Sequence, residues 1–118
     1  MEQEDIIKDL QTLPNKLFKF GMDYAEKKSC FNTIDEQKKT ILADIKNRIA
    51  FDYAPEKVSE AQLEREALAS NEYKQYLFGR GLAERLYLKS QATYNALQVK
   101  VDCTRSLNSL RKVEANLL

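Results

Sequence analysis

The chain has 118 residues, a length that fits one domain and leaves too little for a second with a core of its own. It is 43% hydrophobic and 31% charged, with a net charge of +1, three Gly, two Pro and no His. So few breakers predict long helices, while the lack of His, with Cys30 and Cys103 in no ligand spacing, excludes a zinc site and a Cys–His nucleophile.

The opening stretch MEQEDIIKDL is acidic where a secretory signal is basic and then apolar, and no run approaches the ~18 apolar residues of a membrane span. A cytoplasmic protein with no membrane partner is the expectation. Residues 2–12 suit a short helix, and Leu13-Pro14 marks a joint, because Pro disfavours helix at the residue before it and fits the first turn of the next helix. A first long helix is predicted over 14–53. Its apolar residues Leu17, Phe20, Tyr24, Phe31, Ile34, Ile41, Leu42, Ile45 and Ile49 fall on one stripe at ~100° per residue, with Gly21 inside it.

Residues 54–58, Ala-Pro-Glu-Lys-Val, form the break. Ser59 and Gln62 then have the spacing of a capping box for a short helix over 59–69. Ser70-Asn71-Glu72 offers another N-cap, for a second long helix over 70–116 in which Gly79 and Gly81 mark a kink or a close crossing. The expected fold is all-α: two long antiparallel amphipathic helices in a helical hairpin, with short accessory helices, in one domain over 1–118. In such a hairpin position 30 lies opposite position 95, ~12 Å along the axis from Cys103, so no disulfide joins the two Cys.

The last helix carries two apolar stripes. Tyr76, Ala83, Leu86, Tyr87, Tyr94, Leu97 and Val101 make one, and Leu77, Leu88, Val99, Leu110, Val113 and Leu117 make another on the opposite side. A helix apolar on two sides must be buried on two sides, so the second stripe calls for another copy of the chain, a homo-oligomer, unless helix 2–12 or 59–69 folds back over it. Between the stripes runs a basic row, Lys74, Arg85, Lys89, Lys100 and Arg111, that could track a phosphate backbone, although solvated basic stripes are common and account for such a row more often. Arg80, Arg105 and Lys112 gather on another sector.

Charge alternates along the chain. Residues 1–13 hold one base against four acids, 14–50 eight against five, 51–72 two against six, and 73–118 eight against three. The acids of 51–72 and of the N-terminus are candidates for docking a partner. No catalytic constellation is apparent: there is no phosphate-binding glycine loop, and the carboxylate pairs Asp35-Glu36 and Glu64 with Glu66 suit ion pairs with Lys39 or Lys57. A non-enzymatic protein without cofactor or metal is expected.

Three segments resemble the phage recombination mediator family, UvsY-like. They are EQKKTILADIKNRIAFDY over 36–53, SEAQLEREALAS over 59–70 and LRKVEAN over 110–116, in the family's order and at similar spacing over about two thirds of the chain. The departures are a longer interval between the Gln-Lys-Lys and Lys-x-Arg elements, a shorter acidic link after Tyr53, and no Trp in the last helix. The resemblance implies a protein that binds single-stranded DNA and loads a recombinase onto DNA coated by single-strand-binding protein. It points to Lys46 and Arg48 as phosphate-binding residues and to Phe51 and Tyr53 as partners for unstacked bases; Arg85, Lys89, Lys100 and Arg111, from the basic row of the last helix, are further candidates on their helical spacing alone. Phe51 and Tyr53 equally suit closing the apolar end of the hairpin. The competing reading is a small helical protein-interaction module, a phage inhibitor or an assembly scaffold, that does not bind DNA.

Overall fold

A computed structural model describes residues 3–117, and all its elements are helical: α1 (Gln3–Glu36), α2 (Lys38–Tyr53), α3 (Glu60–Leu68) and α4 (Asn71–Leu117). No helix among the described residues is long and apolar enough to cross a membrane. The chain forms two compact units, residues 28–86 and residues 1–27 with 87–118.

The helix ends differ from expectation in two places. Pro14 does not open a helix but lies inside α1, so the stretch expected as a separate short helix runs on without a joint into the rest of α1. Ile6 and Leu13 explain this, at 1% and 2% exposure. Their burial contributes about 3–6 kcal/mol together, enough to offset a cost of roughly 3 kcal/mol for an interior Pro.

The long helix expected over 14–53 is interrupted at Gln37, which separates α1 from α2. The Tyr76 hydroxyl donates to the Ile34 carbonyl at 2.6 Å, an acceptor that the Lys38 N–H would otherwise use, and the Gln37 N–H closes a tighter turn onto the same oxygen at 3.2 Å. Next to it, Arg80 donates to Asp35 at 2.7 Å and lies 5.2 Å from the centre of the Phe31 ring. A side chain entering the backbone ladder is a recognised cause of such breaks. Asp35 therefore pairs with Arg80 and not with Lys39.

Within residues 28–86 the core is Ile45, Ala67 and Tyr73, with Ile41, Leu42, Ile49 and Tyr76 packed around it. Ala67 is fully buried, and its small side chain lets α3 approach α2 closely. α2 ends because Ala54 precedes Pro55 and takes an extended conformation, φ −55° and ψ 142°. Ser59 caps α3 as its spacing predicts, accepting from the Gln62 N–H at 3.2 Å. Ser70 bridges the next joint, donating to the Ala67 carbonyl at 2.6 Å and accepting from the Tyr73 N–H at 3.2 Å.

In the other unit, α1 contributes Ile6 and Leu13 and α4 contributes Val101 and Thr104 to the buried set. The Tyr24 ring stacks on Tyr87, with centroids 5.9 Å apart, and lies 5.7 Å from Tyr94. A Cβ at Gly21 would come within 3.1 Å of the Tyr94 ring, so this glycine admits the tyrosine cluster. No close crossing occurs at the glycines expected to mark a kink or a crossing: a Cβ at Gly79 or Gly81 meets nothing within 4 Å, and α4 runs through both. Gly79→Ala and Gly81→Ala should each stabilise the protein by about 0.5–1 kcal/mol in urea unfolding, whereas Gly21→Ala should bring no such gain.

Most buried and half-buried positions of α4 recur at alternating steps of three and four residues. They are Tyr73, Tyr76, Arg80 and Ala83 in one unit, and Tyr87, Ser90, Tyr94, Leu97, Val101, Thr104, Asn108 and Arg111 in the other. Leu86, assigned to this stripe from the sequence, lies outside it at 52% exposure, and the polar Ser90 and Thr104 are buried instead. Ser90 satisfies its hydroxyl by donating to the Tyr87 carbonyl at 2.8 Å. The second apolar stripe is open: Leu77, Leu88, Val99, Leu110, Val113 and Leu117 are all at least 44% exposed. α3 packs on α2 and leaves that stripe uncovered. Cys30 and Cys103 are both free and exposed.

Candidate nucleic-acid interface

The last two turns of α2 carry Lys46, Arg48, Phe51 and Tyr53. At ~100° per residue, Lys46 and Tyr53, seven apart, share one face of the helix, and Arg48 and Phe51, three apart, share another. The four residues that the sequence groups together thus form two pairs, each with its own neighbours.

On the first face Lys46 borders a cleft of about 410 Å³ lined also by Lys39, Leu42, Asn47, Glu60 and Leu63. Its ammonium donates to Glu60 Oε1 at 2.9 Å. That hydrogen bond, aided by the charges of Glu60 and Glu64, holds the Lys46 pKa above its ordinary value against the opposing effect of desolvation. One helical repeat on, the Tyr53 hydroxyl donates to Glu66 Oε1 at 2.7 Å, which raises its pKa and keeps the phenol protonated. The other Glu66 oxygen is buried without a partner.

On the second face Arg48 pairs with Glu72, from the first turn of α4, and this contact raises its pKa. Phe51 beside it is 79% exposed. The apolar-end role allowed for Phe51 requires burial, and the ring is not buried. Tyr53 is 37% exposed and is tied to α3 through its hydroxyl.

The remaining candidate residues lie along α4. Arg85 belongs with residues 28–86, whereas Lys89, Lys100 and Arg111 belong to the other unit. Arg85, Lys89 and Lys100 are exposed and Arg111 is half-buried. Lys89, Lys100 and Arg111 follow one another at intervals of 11 residues, about three helical turns, so they form one row. Each directly follows an exposed apolar residue, Leu88, Val99 or Leu110, which places the basic row beside the open stripe.

Reading the sequence for cations missed their partners. Glu60, Glu66 and Glu72, among the acids of 51–72 offered there for docking a partner, each engage a residue of α2, and Glu66 bonds Tyr53 in place of the expected ion pair with Lys39 or Lys57. The available signal was the abrupt change from a basic segment, 14–50, to an acidic one, 51–72, across a short break. No protein-family model, curated protein or solved structure matches the chain.

Proposed function

We propose that the chain is a non-enzymatic, single-stranded-DNA-binding recombination mediator of the UvsY-like kind, which acts as a homo-oligomer in the cytoplasm of a phage-infected host and loads a recombinase onto DNA coated by single-strand-binding protein. The observation that carries this reading is the end of α2, where a largely exposed Phe51 stands next to Arg48 with Lys46 two residues before it. Single strands are held by cations along the backbone and by rings beneath unstacked bases, and this segment offers both. The open stripe on α4 favours assembly through a second face of that helix, and a homo-oligomer would repeat the α2 end around itself. The chemistry needs no cofactor or metal.

A second reading is favoured by a specific observation: Lys46 and Arg48 are already paired with Glu60 and Glu72. In that case the protein is an interaction module whose open apolar stripe receives another protein, and its cations are structural.

Binding of a fluorescent oligo-dT strand across a salt series separates the two. For a mediator, Lys46→Ala/Arg48→Ala should weaken binding about tenfold at low salt and make the slope of log K against log salt shallower by about 1.4, the contribution of two phosphate contacts on a single strand. Light scattering should report an unchanged oligomer. If the folded wild-type protein does not bind at low salt, the mediator reading fails and the interaction module stands.

A further inference from the structure

We infer that Glu60 and Glu72 are built-in stand-ins for phosphate: they occupy Lys46 and Arg48 in the free protein, and single-stranded DNA binds by exchanging its phosphates for these two carboxylates. The inference rests on the mediator reading above and adds a threshold to it.

Both contacts are direct, with Lys46 Nζ 2.9 Å from Glu60 Oε1 and Arg48 paired through Nη2 with Glu72 Oε2. They come from two different elements, α3 and the first turn of α4, yet each meets one of the two cations in the motif. A carboxylate binds an ammonium or guanidinium with the same oxygen chemistry as a phosphate, so the pairs mark where phosphate oxygens would sit.

Exchange needs no unfolding. The Glu60 and Glu72 side chains are 74% and 47% exposed, so each can rotate into solvent. α3 itself stays in place, because Ala67 is fully buried against α2 and Ser59 caps its start. Exposed ion pairs are weak and screened by salt, whereas a strand brings a continuous row of phosphates, so the carboxylates are the occupants that yield.

The third acidic contact belongs to a different class. Glu66 is half-buried, with one oxygen bonded to Tyr53 and the other enclosed. It cannot swing out as Glu60 and Glu72 can, so Tyr53 remains held to α3 and Phe51 is the ring left free at this end. The consequence is a protein that rejects isolated or weakly charged anions and responds to a polyanion that can displace both carboxylates together.

Glu60→Gln/Glu72→Gln keeps the shape of both side chains and removes their charge. It should bind oligo-dT about tenfold more tightly than wild type at ~100 mM salt. Glu26→Gln/Glu36→Gln changes the net charge equally, at exposed residues that act on neither cation, and should gain twofold or less. Equal gains in the two double variants would overturn the inference in favour of a net-charge effect, as would a Glu60→Gln/Glu72→Gln affinity equal to wild type; the mediator reading would survive either result. Absence of binding by wild type and by both variants at low salt, with helical circular dichroism intact, would overturn both. Glu60→Gln alone, at an exposed position, provides the same comparison with an expected gain of about threefold should the double variant fold poorly.

Discussion

Tyr73→Ala is expected to destabilise the unit of residues 28–86 by about 3–5 kcal/mol, the range for removing a large aromatic side chain from a packed core. Tyr73 is only 5% exposed and belongs to the small buried cluster with Ile45 and Ala67. Its ring lies 5.9 Å from that of Tyr76, so its loss also removes support from the side chain that interrupts the backbone at Ile34. Small domains are stable by only 5–15 kcal/mol, so this change takes away a large part of the margin. Phe78→Ala provides the contrast. Phe78 is larger in area than most residues of α4 but is 67% exposed, and its removal should change stability by less than about 0.5 kcal/mol. Urea unfolding followed by circular dichroism reads the magnitude, and hydrogen exchange at the amides of α2 and α3 reads the location. A loss below 1 kcal/mol for Tyr73→Ala would show that the cluster of Ile45, Ala67 and Tyr73 does not hold this unit together.

The helices themselves were legible in the sequence because few residues oppose them. Ser59 with Gln62, and Ser70 before Asn71, gave the start of α3 and of α4 through the spacing of their caps. What could not be read were effects that come from a distant part of the chain. Gln37 has nothing in its neighbours to end a helix; the cause is a hydroxyl 42 residues away from Ile34, in Tyr76. Pro14 reads as a boundary locally, and only the burial of Ile6 and Leu13 turns it into a helix interior. Gly21 and Gly79 look alike in sequence, yet one faces the Tyr94 ring and the other faces open space. At the candidate site the same division holds. The cations and rings of 46–53 were visible as residue types, but their division into two faces needs the helical geometry, and their pairing with Glu60, Glu66 and Glu72 needs the return of the chain through α3 and into α4.

On the mediator reading proposed above, Phe51→Ala is expected to weaken oligo-dT binding by about 1–3 kcal/mol, roughly 5- to 150-fold, because the ring at the end of α2 is exposed and a base could stack on it. The salt dependence separates this effect from that of the cations. Stacking releases no counterions, so Phe51→Ala should lower affinity by the same factor at every salt concentration and leave the slope unchanged, whereas Lys46→Ala/Arg48→Ala should make the slope shallower. Leu is the informative second substitution: Phe51→Leu keeps an apolar side chain without the aromatic face, and it should lose most of the same affinity if the ring stacks. Should Phe51→Leu bind like wild type while Phe51→Ala does not, the residue contributes apolar contact and no stacking. A Phe51→Ala protein that binds DNA as wild type does but changes mass in light scattering would assign the ring to the contact between copies. In that event the DNA track at this end of α2 would rest on Lys46 and Arg48 alone.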